Sequence, residues 1–421
     1  MTFFIESCAV DDHRYELDKG VGAAGAPAWN LLAGDVPFPA AVLSERRIRH
    51  NLDWMRAFID TYGLSLAPHG KTTMAPRLFQ RQLDAGAWGI TVATSQQARV
   101  AAAHGVRRIL IANQIVGAAN LAATAELAAL PGMALFCIAD SAAGVALLGA
   151  VCRQRGTTLD VLIELAPEPD QPGFRTGVRD AAGLDAVLVE LKRWRGHLRL
   201  SGIEFYEGVL SDEGDVRCFV RRAAATTTRL LADGSFERTP AILSGAGSAW
   251  YDVVAEETAP IARSGDVEVV LRPGCYISHD DGLYRTAQEQ ILKRNVVAPT
   301  FGEALMPALR IWAVVQSLPD AARAIVAMGK RDVALDAGLP RPATVFRSGR
   351  DDWPVVAPPH WNVTALMDQH AYLAIAPGDD IAVGDVIAFD ISHPCLTFDK
   401  WRKLLVVDDD YRCIEVVETF F

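Results

Sequence analysis

Short β-rich runs alternate with Ala-rich helical stretches over the first two thirds of the chain, and this alternation limits the possible folds more than any other feature. The runs are Ala40 to Leu43, Leu64 to Ala67, Trp88 to Ala93, Ile109 to Ala112, Ala134 to Ala139, Leu159 to Leu165, Leu200 to Phe205, Ala241 to Leu243 and Val267 to Leu271. A helix between two strands returns the chain to run in the same direction, so the pattern predicts parallel β/α units. A closed barrel holds eight strands, and nine runs are visible; one is misread or belongs elsewhere. Apolar residues at helical spacing mark Arg46 to Tyr62 and Ser95 to His104 as helices. After Leu283 the texture changes to short runs punctuated by Pro, Gly and Asp: Leu309 to Gln316, Ala324 to Met328, Ala371 to Ala376, Asp385 to Phe389 and Lys403 to Val407. That texture predicts an antiparallel β domain.

A chain of 421 residues exceeds what one core usually supports, so two domains are expected. The net charge of -10 speaks against nucleic acid or an anionic membrane as partner, because binding their phosphates needs clustered Lys and Arg. The seven cysteines have no repeating spacing and read as reduced thiols of a cytoplasmic protein. Met1 to Arg14 carries Glu6, Asp11 and Asp12 where a signal peptide needs an apolar core. Glu126, Pro131 and Asp140 interrupt the Ala-rich stretch from Gly117 to Cys152, so it is too broken to span a bilayer.

Three segments carry recognisable chemistry. His393-Pro394-Cys395 sets an imidazole and a thiol two residues apart, on one face if the segment is extended, and that pair suits zinc with positions left open for substrate. In Pro68-His69-Gly70-Lys71-Thr72, Lys71 falls in the loop where a strand stops, which in a barrel is the active-site rim. A partly desolvated lysine there has a depressed pKa, and its neutral amine can form a Schiff base. Ser244-Gly245-Ala246-Gly247-Ser248 follows a strand directly; its small residues let backbone N–H groups approach a phosphate, and Ser244 and Ser248 add hydroxyls.

Together the lysine segment and the His-x-Cys pair resemble the fold-type III pyridoxal-phosphate enzymes, the alanine-racemase-like barrels, and within them the metal-dependent D-serine dehydratase and D-threonine aldolase branch. The resemblance implies a (β/α)8 TIM-like barrel over residues 41–282, with residues 1–40 and 283–421 forming a mostly antiparallel β domain that carries the metal pair. It also implies that Arg272-Pro273-Gly274-Cys275-Tyr276 is a second phosphate loop, with backbone donors at Gly274 and Cys275 and a hydroxyl at Tyr276. Gly173-Phe174-Arg175-Thr176-Gly177 resembles the family's Arg-x-Gly segment, which would bring Arg175 near the cofactor ring. Gly202 to Gly208 resembles a strand end that would set Tyr206 beside the cofactor. His69 and His370 are further pocket candidates. Many members follow the lysine with Thr-His-Lys, whereas Thr72, Thr73 and Met74 follow here, which leaves substrate preference open.

The implied cofactors are pyridoxal 5'-phosphate on Lys71 and zinc on His393 and Cys395. The implied reaction is elimination from a β-hydroxy-D-amino acid to a 2-oxo acid and ammonia, with Lys71 taking the α-proton, the metal aiding departure of the β-hydroxyl, and Tyr206 joining the catalytic group. The D-enantiomer and a homodimer come from the resemblance alone. Retro-aldol cleavage to glycine and an aldehyde is the alternative; Cys395 favours elimination, because aldolase relatives typically use His-x-Asp with a harder ion. A non-catalytic cofactor carrier would resemble the barrel alone, and a racemase normally needs a second base and no dehydrating metal.

Overall fold

The computed structural model describes residues 29–167 and 175–421. Residues 1–28 of the expected N-terminal part of the β domain, and Gly173 and Phe174, lie outside the described residues. Two compact units emerge, one of residues 49–279, 283–306 and 420–421, the other of residues 29–48, 280–282 and 307–419.

The first strand, Ala40–Ser44 (β1), belongs to the second unit and accounts for the ninth run. Eight parallel strands then form the first unit: Ser65–Leu66 (β2), Ile90–Val92 (β3), Arg108–Gln114 (β4), Ala134–Ala139 (β5), Leu159–Leu165 (β6), Leu198–Phe205 (β7), Ala241–Gly245 (β8) and Val267–Leu271 (β9), in the order β2-β9-β8-β7-β6-β5-β4-β3. The barrel closes between β2 and β3, where His69 bridges Thr91 and the Trp88 N–H donates to Leu66 O at 2.7 Å. All seven residues of β6 and all five of β8 are buried. Strands covered on both faces read as continuous apolar runs, which is why no alternation showed in the sequence. The barrel interior packs Ala67, Leu110, Phe136, Ile138, Leu162, Ile242 and Val270 together.

The covering helices begin where capping residues stand. Thr94 accepts from the Gln97 N–H at Ser95–Ala103, Ser141 from Gly144 at Ala142–Arg155, Asp180 from Gly183 at Ala181–Arg193, and Asp212 from Asp215 at Glu213–Ala232. Each cap satisfies an N–H that the first helical turn leaves without a partner. The helix Leu283–Arg294 goes with the barrel unit, although the change of texture in the sequence starts at its first residue.

In the second unit β1 lies between Leu309–Asp320 (β10), antiparallel, and Lys403–Val407 (β17), parallel. Arg323–Val326 (β11), Arg341–Phe346 (β12), Val355–Val356 (β13), Asn362–Leu366 (β14), Ala371–Ala374 (β15), Val386–Asp390 (β16) and Cys413–Glu418 (β18) complete a sheet whose other pairings are antiparallel. Trp29, Leu31, Val42, Trp312 and Leu405 lie at its core. Among the described residues no helix is long and apolar enough to cross a membrane, and Cys137, Cys152, Cys218, Cys275, Cys395 and Cys413 are not joined in disulfides.

Candidate active site

The turn that carries Lys71 is shaped by its neighbours. Pro68 ends the run that β2 begins, and Gly70–Thr72 makes a single 3-10 turn. A Cβ on Gly70 would stand 2.8 Å from the Phe79 ring and 2.9 Å from Ile90, so only glycine fits there. Gly70 and Thr72 take the buried side of the turn and Lys71 the exposed side. The partial desolvation expected from the sequence is therefore not supplied to Lys71 by this unit.

The loop after β9 meets this turn at backbone distance. A Cβ on Gly274 would lie 2.5 Å from His69 O and 2.7 Å from Thr72 Oγ1, and Cys275 Sγ is 3.7 Å from the same hydroxyl. The Cys275 N–H donates to Ser248 Oγ at 3.3 Å, which adds the end of β8. Tyr206 directly follows β7, with its ring beside Gly247 and the Arg175 guanidinium 5.4 Å from the ring centroid. Burial first, then the neighbouring Glu207 carboxylate, raises the Tyr206 phenol above its ordinary range. The structure thus gathers Lys71's turn, His69, Arg175, Tyr206, Gly247, Ser248, Gly274 and Cys275 at the carboxyl ends of the strands.

Other candidates are built into the packing instead. Ser244 is fully buried within β8, and its hydroxyl donates to Val270 O at 3.0 Å. Gly245 faces the Phe205 ring, which leaves 2.3 Å for a Cβ. Tyr276 is buried and bonded to Gln82, and both side chains line a cavity with Leu52, Ile59 and Leu66. His370 is exposed in the turn between β14 and β15.

Sequence reasoning missed a buried layer of charge at the barrel mouth. Glu207 is fully buried and accepts from the Ala246 N–H at 3.0 Å and the Gly247 N–H at 2.6 Å. Two backbone donors expected to hold phosphate are therefore already held by a carboxylate of the chain. Arg272, 5% exposed, pairs with Glu204 and donates to Phe205 O at 2.9 Å. Burial raises both Glu204 and Glu207, while Arg272 pulls Glu204 back down and the Gly247 N–H does the same for Glu207. Glu164 is pushed up to about 7, mainly by burial and then by Glu204. Burial, then Lys71, then Arg272 hold His69 well below its usual range. His69 Nδ1, Glu204 Oε2 and Arg272 Nε are buried without a hydrogen-bond partner. The available signal was a glutamate at the end of each apolar run, in Leu162-Ile163-Glu164 and Gly202-Ile203-Glu204.

In the second unit, Pro394 adopts helical backbone angles and Cys395 opens a one-turn helix, Cys395–Phe398. The pair is set by this turn, not by the extended segment the sequence suggested. The imidazole of His393 is hydrogen-bonded to Cys395, and its Nδ1 lies 2.7 Å from Asp336 Oδ2. The Cys395 bond first, and Asp336 after it, raise His393 to about 9 against the opposing effect of burial. Among the described residues no group of three or more His, Cys, Asp and Glu side chains is arranged to hold a metal.

Residues 43–267 match the family model "Alanine racemase, N-terminal domain", and residues 308–407 match the "Putative serine dehydratase domain". A D-threonine aldolase of Arthrobacter sp is 27% identical over 381 residues, covering 89% of this chain and 90% of the relative. The D-threo-3-hydroxyaspartate dehydratase of Delftia sp. strain HT23 is 33% identical over 172 residues, 40% of this chain and 43% of the relative. The crystal structure of D-threonine aldolase from Filomicrobium marinum superposes with a TM-score of 0.75 at 23% identity, over 94% of this chain and 98% of its own. Solved variants of D-threo-3-hydroxyaspartate dehydratase, each with a TM-score of 0.69 at 23% identity over 93% of this chain and 97% or 99% of their own, replace one histidine or, in a metal-free form, a cysteine two positions later. The alanine racemase model spans more than half of the chain, which therefore belongs to that family, as a lyase of the fold-type III pyridoxal-phosphate class in the D-serine dehydratase and D-threonine aldolase branch.

Proposed function

We propose that the chain is a pyridoxal-phosphate- and zinc-dependent dehydratase that converts a β-hydroxy-D-amino acid, of the D-serine type, to a 2-oxo acid and ammonia. The observation that carries this reading is the His393-Cys395 pair. It lies inside the stretch matched by the serine dehydratase domain and repeats the two-residue spacing of the histidine and cysteine altered in the hydroxyaspartate dehydratase variants.

The residues present fit both groups. At the barrel mouth Gly274 lets the loop after β9 close onto the turn of Lys71, Ser248 and the Cys275 N–H meet there, and His69 Nδ1, Glu204 Oε2 and Arg272 Nε await polar partners. Pyridoxal phosphate bound on Lys71 would supply an electron sink for the charge left when the α-proton departs. Ser248 Oγ and the Cys275 N–H would hold its phosphate, and Arg175, kept over Tyr206, sets a fixed cation beside the ring. Lys71 Nζ, released once the substrate's own amine has taken its place, takes the α-proton. In the second unit, an imidazole whose Nδ1 is bonded to a carboxylate is the usual form of a metal-ligating histidine, and a thiolate beside it suits zinc. Zinc there would supply a Lewis acid for the substrate's β-hydroxyl.

A second reading, retro-aldol cleavage, draws on the aldolase relative that matches along nearly the whole chain. Product analysis separates them. Purified protein with pyridoxal phosphate and zinc, offered D-serine, D-threonine and D-threo-3-hydroxyaspartate, should release 2-oxo acids and ammonia, and chelation should stop it. Glycine with an aldehyde would establish the aldolase reading, and activity untouched by chelation would remove the metal. Lys71→Ala should abolish the visible absorbance of lysine-bound cofactor; an unchanged band would end Lys71's role.

A further inference from the structure

Glu164 takes no part in the steps above, yet two side chains and the backbone fix it at the barrel mouth. It stands on the wholly buried strand β6, in register with Glu204 on β7. Its Oε1 accepts from Thr176 Oγ1 at 2.8 Å, and its Oε2 accepts from the Gln114 amide at the end of β4. Its main-chain oxygen accepts from the Val178 N–H at 2.8 Å, while the Ala166 N–H donates to Val178 O at 2.9 Å. Gly177, at φ +106°, would bring a Cβ within 2.6 Å of Ala166 N, and its own N–H donates to Asp140 Oδ2 at 3.3 Å. The segment that presents Arg175 is thus fastened to β6, and the Glu164 side chain ties down Thr176, the residue next to Arg175.

We propose that Glu164 is a positioning residue: its carboxylate, through Thr176, holds Arg175 over the Tyr206 ring, and protonation of that carboxylate loosens the hold. The inference rests on the cofactor reading above, in which Arg175 serves the cofactor. Ionised, Glu164 offers both oxygens as acceptors, to Thr176 and to Gln114. Protonated, it turns one oxygen into a donor and gives up part of that capacity. Among the described residues the charged groups that act on it are Glu204 and Asp140, both of which oppose its ionisation, while Thr176 and Gln114 favour it. With the midpoint raised to about 7, the tie is complete above that pH and is lost as pH falls through it.

The test is a titration of the apo protein with pyridoxal phosphate, followed by visible absorbance, from pH 5.5 to 8.5. Wild type should lose about tenfold in affinity across the step near pH 7, the worth of a hydrogen bond to a charged group. Glu164→Gln keeps size and one acceptor but cannot ionise, and should show no such step. Thr176→Val cuts the tie while Glu164 still titrates, and should bind more weakly at high pH, again without the step. It also serves should the glutamine variant fail to fold. The same step in either folded variant would overturn the inference and leave the cofactor reading standing. Absence of binding by wild type at every pH would instead bring down the cofactor reading, and this inference with it.

Discussion

Two successive layers inside the barrel differ completely in chemistry. Leu162, Gly202 and Val270 belong to the lower one; two residues further along the same strands or just past them, on the same face, stand Glu164, Glu204 and Arg272. The lower layer, with Ile138 level with Leu162, is apolar, and Phe136 lies one layer further down. The upper layer holds Glu164, Glu204, Glu207 and Arg272, of which none is more than 7% exposed. Burying apolar area stabilises the fold, whereas buried charges do so only when fully partnered, and Glu204 Oε2 and Arg272 Nε are not. The lower layer supplies stability, and the upper one, where the proposed site lies, is built at its expense.

The contrast is broken most forcefully at Arg272. Arg272→Met leaves Glu204 buried without its cation and should cost about 3–5 kcal/mol in denaturant unfolding. The double variant Glu204→Leu/Arg272→Met should recover most of that loss, or exceed wild type, while failing to bind cofactor. A single variant as stable as wild type would show that the pair is not what holds the mouth. In the layer below, Leu162→Ala removes a fully buried side chain and should cost about 3 kcal/mol. Its cofactor affinity, measured well below the denaturant midpoint, should stay within about twofold, since the site lies one layer up. A large loss of affinity would mean the layers are coupled and not separable as argued.

This layering also explains what the sequence could disclose. The strand runs and the Lys71 turn were legible because burial on both faces makes apolar runs, and because Pro68 and Gly70 mark where backbone must turn. Ala40 to Leu43 could not be assigned to its sheet, since a short apolar run reads the same in a barrel and in an antiparallel partner. The glutamates stayed hidden because a carboxylate at the end of a run looks like a strand emerging into water. Only the closure of the barrel turns Glu164 and Glu204 inward. Ser244 and Tyr276 were credited to the cofactor because a motif shows which residues sit near a strand end, not which way each side chain points. Ser244 turns to Val270 and Tyr276 to Gln82.

Glu207 offers the finest test of the contrast, because there a single group serves both ends. Its carboxylate holds the Ala246 and Gly247 N–H groups and so keeps the turn after β8 in shape, as a bound anion would. It also adds negative charge beside the place proposed for a phosphate. Glu207→Gln retains one carbonyl acceptor, strands one of the two N–H groups, and should lower stability by about 1 kcal/mol. The same change removes repulsion and frees a donor, so inorganic phosphate should compete for the site more strongly than in wild type. Stability and anion affinity therefore move in opposite directions. A joint fall would show that the shape of the turn governs anion binding and that the charge of Glu207 does not.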